Sequence, residues 1–85
     1  MKYYIGRILE VNGGMEYGDR YLFSTKGSPA RHAAKVTREW RGCTRADWDE
    51  YHSAYWADCT LVSDDGYQEI PQEDFEVLKK YLAVL

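Results

Sequence analysis

Eighty-five residues with 45% hydrophobic and 15% aromatic content and only two prolines describe one small folded domain, residues 1–85, and exclude a disordered chain. A domain of this size buries about 60–65% of its unfolded surface, which leaves little room for a deep substrate pocket and argues against a conventional enzyme. The net charge of −3 conceals a division: residues 1–45 hold nine Lys/Arg against four Asp/Glu, whereas residues 46–85 hold two against ten.

The N-terminal run KYYIGRILEV, residues 2–11, alternates and is rich in Tyr, Ile and Val, so it reads as a strand. It lacks the continuous apolar block of a signal peptide, and no run in the chain approaches the ~18 apolar residues of a membrane span. A cytoplasmic protein with no membrane contact is expected, and its two cysteines are expected as reduced thiols. NGG at 12–14 is a turn signal, and EYGDRYLFST, residues 16–25, reads as the returning strand of a hairpin. Gly6 and Gly18 within these strands mark bulges or close backbone approach.

KGSPARHAAKVTREWRG is the clearest helix. Ser28 caps it, Pro29 suits the first helical position and Gly42 suits the stop. At 100° per residue Ala33, Val36, Thr37 and Trp40 share a face, which is expected to be buried. Arg31, Lys35 and Arg38 share the opposite face. Residues 43–54 read either as a helical turn capped by Thr44 or Asp47 or as an extended aromatic loop. Residues 55–62 alternate like a strand, SDDG at 63–66 reads as a turn, and YQEI reads as a short return strand. PQEDFEVLKKYLAVL is expected as a second helix, opened by Pro71, with Phe75, Leu78, Leu82 and Leu85 as its buried stripe. The fold class that follows is α+β: a small antiparallel sheet of three to four strands with two helices on one face, in the order ββαβ(β)α.

The stretch TREWRGCTRADWDEYHSAYWADC, residues 37–59, concentrates the chemistry-bearing side chains. A zinc site would draw on His32, Cys43, His52 and Cys59, but Cys43 and His52 are nine apart and His52 and Cys59 seven. Tetrahedral sites usually draw ligands in close pairs because one turn presents two of them. Buried thiols and solvated imidazoles are therefore expected, with no metal and no cofactor. No signature fixes a Cys–His nucleophile, and G-x-x-x-x-G-K-[ST], G-x-G-x-x-G and H-E-x-x-H are absent. The carboxylate pairs Asp47/Asp49 and Asp64/Asp65 read as turn formers and solvated charge. The expectation is a protein without catalytic residues.

Two surfaces remain. Arg31, Lys35, Arg38, Arg41 and Arg45 lie along a basic helix and its exit, a line able to neutralise phosphates of a nucleic acid. Asp47, Trp48, Asp49, Glu50, Tyr51 and Tyr55 form an acidic aromatic segment, suited to a basic partner surface because Trp and Tyr dominate interface hot spots. Trp40 is expected in the core, Trp56 in a structural role, and Trp48 in either role. The chain is expected as a monomer or as a homodimer paired through a sheet edge.

Three pieces carry a resemblance over residues 2–66: the N-terminal strand and hairpin, the alanine-spaced basic helix SPARHAAKVTREWRGCT, and CTLVSDDG running into an acidic glycine turn. In these the chain resembles small phage and mobile-element proteins, and is similar to type I anti-CRISPR proteins. The resemblance implies a non-enzymatic inhibitor that binds a bacterial crRNA-guided CRISPR-Cas surveillance complex and blocks its nucleic-acid binding, or recruits DNA wrongly. Carried over position by position, it places that role on Arg31, Lys35, Arg38 and Arg41, and leaves the Asp47–Asp58 surface as an addition of this chain.

Overall fold

A computed structural model describes all residues, Met1–Leu85. β1 (Lys2–Asn12) and β2 (Met15–Thr25) form the expected hairpin, with Asn12 opposite Met15. Gly13 (φ 56°) and Gly14 (φ 85°) make its two-residue turn, a conformation that matches the right-handed twist of the strands and that residues with a Cβ resist. A 3₁₀ turn (Arg45–Asp47) precedes β3 (Trp48–Asp49), which pairs with β4 (Ala54–Ala57), and β4 turns back into β5 (Thr60–Ile70). The sheet is antiparallel throughout, in the order β2-β1-β5-β4-β3.

α1 (Pro29–Glu39) begins as expected, with the Ser28 hydroxyl accepting the Arg31 N–H and Pro29 at its start. It buries Ala33, Val36 and Thr37 against the sheet face that carries Tyr4, Ile8, Tyr21, Phe23 and Val62. The small side chains let the helix sit close, and stacked rings do much of the packing: Tyr4 on Phe23 at 4.9 Å, and Phe23 on His32 of α1 at 4.5 Å.

Several expectations are corrected. The sheet has five strands, because residues 55–62 are not one strand. The chain reverses at Asp58–Cys59, where Asp58 takes φ 55°. SDDG is not a turn between two strands either. β5 runs through it as a bulged strand, with Gly66 at φ 98° and the Asp65 carbonyl accepting from Arg7 Nε at 3.1 Å. The second helix, α2 (Gln72–Leu78), stops at Leu78. Leu82 and Leu85 therefore do not extend its stripe. The tail instead runs beside β2, with Leu22 donating to Ala83 and Leu85 donating to Leu22, both at 2.8 Å. That contact satisfies part of an edge strand that otherwise presents unpaired backbone groups.

The two helices also lie on opposite faces. Successive strand residues point to opposite sides, so Tyr3 faces away from Tyr4, and Phe75 of α2 packs on Tyr3 at 4.8 Å. No helix is long and apolar enough to cross a membrane.

Gly6 sits beneath the Tyr21 ring, its direct partner across β1–β2. Tyr21 is fully buried, and its hydroxyl finds no hydrogen-bond partner in the protein. Burial, with the Asp64 charge as a second cause, pushes its ionisation up to about 12. A buried hydroxyl left unbonded costs about 1–3 kcal/mol. Tyr21→Phe keeps the ring and removes that cost, so its urea midpoint is expected to rise, corresponding to about 1 kcal/mol of added stability. A fall in the midpoint would show that the hydroxyl has a partner.

Candidate interaction surfaces

The basic face of α1 is formed as the spacing implies. Arg31 and Lys35 are exposed and Arg38 is half-buried. None of the three, nor the exposed Arg45 in the 3₁₀ turn, has a carboxylate within ion-pair distance. Arg41 departs from this group. It lies beyond the helix end, and its guanidinium is paired with Glu10 of β1, so it belongs to the architecture and not to the free basic line.

Glu10 is the one acidic side chain drawn into the interior, at 4% exposure. One carboxylate oxygen accepts the Trp40 indole N–H at 3.1 Å and the other accepts from Arg41. Burial disfavours its charge, but the bonds from Arg41 and Trp40 and the Arg41 charge outweigh this and hold it below its ordinary value. Neighbouring Asp19 moves the other way, pushed up by burial and then by the Glu10 carboxylate. Two acids with divergent ionisation resemble acid–base machinery. Here both Glu10 oxygens are occupied by protein donors, and no cleft brings Glu10 and Asp19 to a common opening. The node ties the exit of α1 to the first strand.

The acidic aromatic segment divides into supports and exposed groups. Asp47 is a cap: its carboxylate accepts from the Thr44 N–H at 2.8 Å and the Thr44 hydroxyl at 3.3 Å. Asp49 is a clamp. It accepts from His52 Nδ1 at 2.7 Å, from the Trp56 indole at 2.9 Å and from the His52 N–H at 3.2 Å. These bonds, His52 and then Trp56 first among them, hold Asp49 down to about 2. Neither carboxylate is therefore a free contact for a partner. What the hairpin offers outward is Trp48, 45% exposed, Glu50, and Tyr51 at its tip, 92% exposed. Tyr55 is half-buried and supports Trp48 edge-on at 4.9 Å. Trp56 does not cover the core as its structural reading implies: it is 40% exposed, and its indole N–H donates to Asp49 instead.

The remaining site residues do not assemble chemistry. Cys43 is half-buried, 3.6 Å from the Trp56 carbonyl, and burial, then Asp47 and Asp58, push its thiol up, away from a reactive thiolate. Cys59 is exposed in the β4–β5 turn, contrary to the buried thiol expected, because the reversal at Asp58 takes it out of the strand. No three His, Cys, Asp or Glu side chains converge.

Sequence reasoning missed one grouping. Trp48 and Tyr55 share their sheet face with Asp64, and with Ala34, Thr37 and Ser53 they line a cleft of about 230 Å³ between α1 and the β3–β4 hairpin. The signal was hidden because Asp64 read as part of a turn, and only the bulged β5 carries it to the side of α1. No protein-family model, curated protein or solved structure matches this chain at a significant level.

Proposed function

We propose that the chain is a non-enzymatic binding protein that docks its β3–β4 hairpin on a basic surface of a macromolecular partner. The observation that carries this reading is the hairpin itself: Trp48 and Tyr51 stand exposed on a short ribbon at the sheet edge, amid carboxylates and stiffened by the Asp49 clamp. A rigid aromatic anchor loses little conformational freedom on binding, and surrounding carboxylates favour a basic partner. Basic grooves that accept nucleic acid are such surfaces. The narrower form, supported by the sequence resemblance, is an anti-CRISPR-type inhibitor that occupies a CRISPR-Cas surveillance complex in the bacterial cytoplasm and blocks its nucleic-acid binding.

The test combines capture of purified crRNA-guided complexes on the immobilised protein with target-DNA binding by those complexes. Trp48→Ala is expected to weaken capture by at least about tenfold, a hot-spot effect of ~1.4 kcal/mol or more, while leaving the thermal melt within a few degrees of the parent. A collapsed melt would mean that Trp48 holds the fold instead. If no complex is captured and DNA binding is unaffected, the inhibitor reading fails.

The unpaired basic face of α1 supports a second reading, direct nucleic-acid binding through Arg31, Lys35 and Arg38. Mobility shifts at low and raised salt separate the two. Binding that falls steeply with salt and is lost in Arg31→Ala/Arg38→Ala belongs to the helix, whereas capture lost only in Trp48→Ala belongs to the hairpin.

A further inference from the structure

Of the clefts on this molecule, the one between α1 and the β3–β4 hairpin is alone in having no lysine or arginine in its lining. It offers two aromatic rings, Trp48 and Tyr55, two hydroxyls, Thr37 and Ser53, and one carboxylate, Asp64. That carboxylate is held in place, since its Oδ1 accepts the Gly66 N–H at 2.9 Å across the β5 bulge. No Lys or Arg of the chain comes within ion-pair distance of it, although α1 presents a basic face nearby. The Thr37 hydroxyl donates to the Ala33 carbonyl, so its oxygen still accepts. The cleft therefore combines aromatic faces with hydrogen-bond acceptors and an uncompensated negative charge.

We propose that this cleft receives one arginine side chain of the partner, its guanidinium against the Trp48 ring and its N–H groups on Asp64. The inference rests on the hairpin-docking reading above and names the group that reading left open. A flat guanidinium is the cation that both stacks on an aromatic ring and forks onto a carboxylate, and it gives up its hydration more readily than an ammonium. A nucleobase also stacks on aromatic rings, but the lining of this cleft holds a carboxylate, Asp64, and no cation to receive its phosphates. Charge complementarity thus selects a basic side chain over an oligonucleotide.

The test needs no identified partner. The three indole N–H resonances of the folded protein are followed by NMR while Ac-Gly-Arg-Gly-NH₂ is added, with the citrulline and lysine versions of the peptide and a short oligothymidylate as separate arms. The Trp48 indole is expected to shift with the arginine peptide, while those of Trp40 and Trp56, engaged by Glu10 and Asp49, stay in place. Citrulline, which keeps the shape and loses the charge, is expected to leave Trp48 unmoved. Asp64→Asn retains the Oδ1 acceptor for Gly66 and is expected to weaken the arginine response about tenfold. Equal shifts with the lysine peptide, a response only to oligothymidylate, or a full response in Asp64→Asn would each overturn the proposal. Absence of an arginine response alongside successful capture of a complex would reject the cleft while sparing the hairpin reading. The converse result would reject the inhibitor reading alone.

Discussion

Gly6→Ala is expected to destabilise the protein by about 3 kcal/mol, the upper part of the range for overpacking a filled core. A methyl group at Gly6 would lie 2.6 Å from Tyr21 Oη and 2.7 Å from Cε1, and closer still to Cζ. The ring has no easy retreat. It is fully buried and packed beside Phe23 and Trp40 at 5.7 and 6.3 Å. The backbone cannot yield easily either, because β1 is an inner strand of the sheet, bonded to β2 on one side and β5 on the other. Urea unfolding measures the loss, and a change below about 0.5 kcal/mol, the usual range for unremarkable surface sites, would show that the ring can move. Truncating the ring tests the cause: Gly6→Ala with Tyr21→Val should cost less than the sum of the single changes, because the clash exists only when both groups are present. Gly18, also in the hairpin, has open space where a Cβ would stand, so Gly18→Ala is the natural control.

Glu10→Ala is expected to cost about 2–3 kcal/mol, since it removes a buried acceptor and leaves the Trp40 indole N–H without its partner. The half-exposed Arg41 can turn to water, which keeps the cost below that of stranding a fully buried charge. Glu10→Gln should recover only part, because the amide keeps an oxygen for Trp40 but turns an N–H₂ group toward the Arg41 donors. The pH dependence has a definite sign. The folded-state value for Glu10 lies below its ordinary 4.5, so its contribution is complete at neutral pH, above the unfolded value. It is lost as pH falls through the lower folded value. Asp19 acts in the opposite sense. Its value is raised in the fold, so ionising it as pH rises subtracts stability across the range near and above 3.8. In urea midpoints measured from pH 7 to pH 3, Glu10→Gln should flatten the acid-side loss of the parent. An unchanged acid limb would place the acid sensitivity at another carboxylate.

Much of this architecture is legible in local sequence. The NGG turn forces the first hairpin because its positive-φ positions exclude most side chains. Ser28 and Pro29 start α1 and its 3.6-residue period selects the buried Ala33, Val36 and Thr37. Other features carry no such local mark. Asp58 adopts a positive φ that nothing in its neighbours announces, so one apparent strand conceals a reversal. Gly66 permits a turn and a bulge equally, and only pairing with β1 decides for the bulge. Asp47 and Asp49 read both as turn formers and as part of an acidic binding surface, and only the formed turn and hairpin, where Thr44 and His52 engage their oxygens, decide for the first role.

By itself the sequence determined the α+β class, the opening hairpin, the position and buried face of α1, and a separation of basic from acidic residues, because each depends on periodicity, turn chemistry or composition within a short window. Tertiary structure alone decided that α2 lies on the opposite face from α1, that the tail covers part of the β2 edge, that Arg41 serves Glu10 from 31 residues away, and that Trp48, Tyr55 and Asp64 share one cleft with α1. Each of those depends on which strands pair and which groups then meet across the sheet. The energies that settle such pairings are long-range burial and hydrogen bonding, which no single stretch of the chain contains.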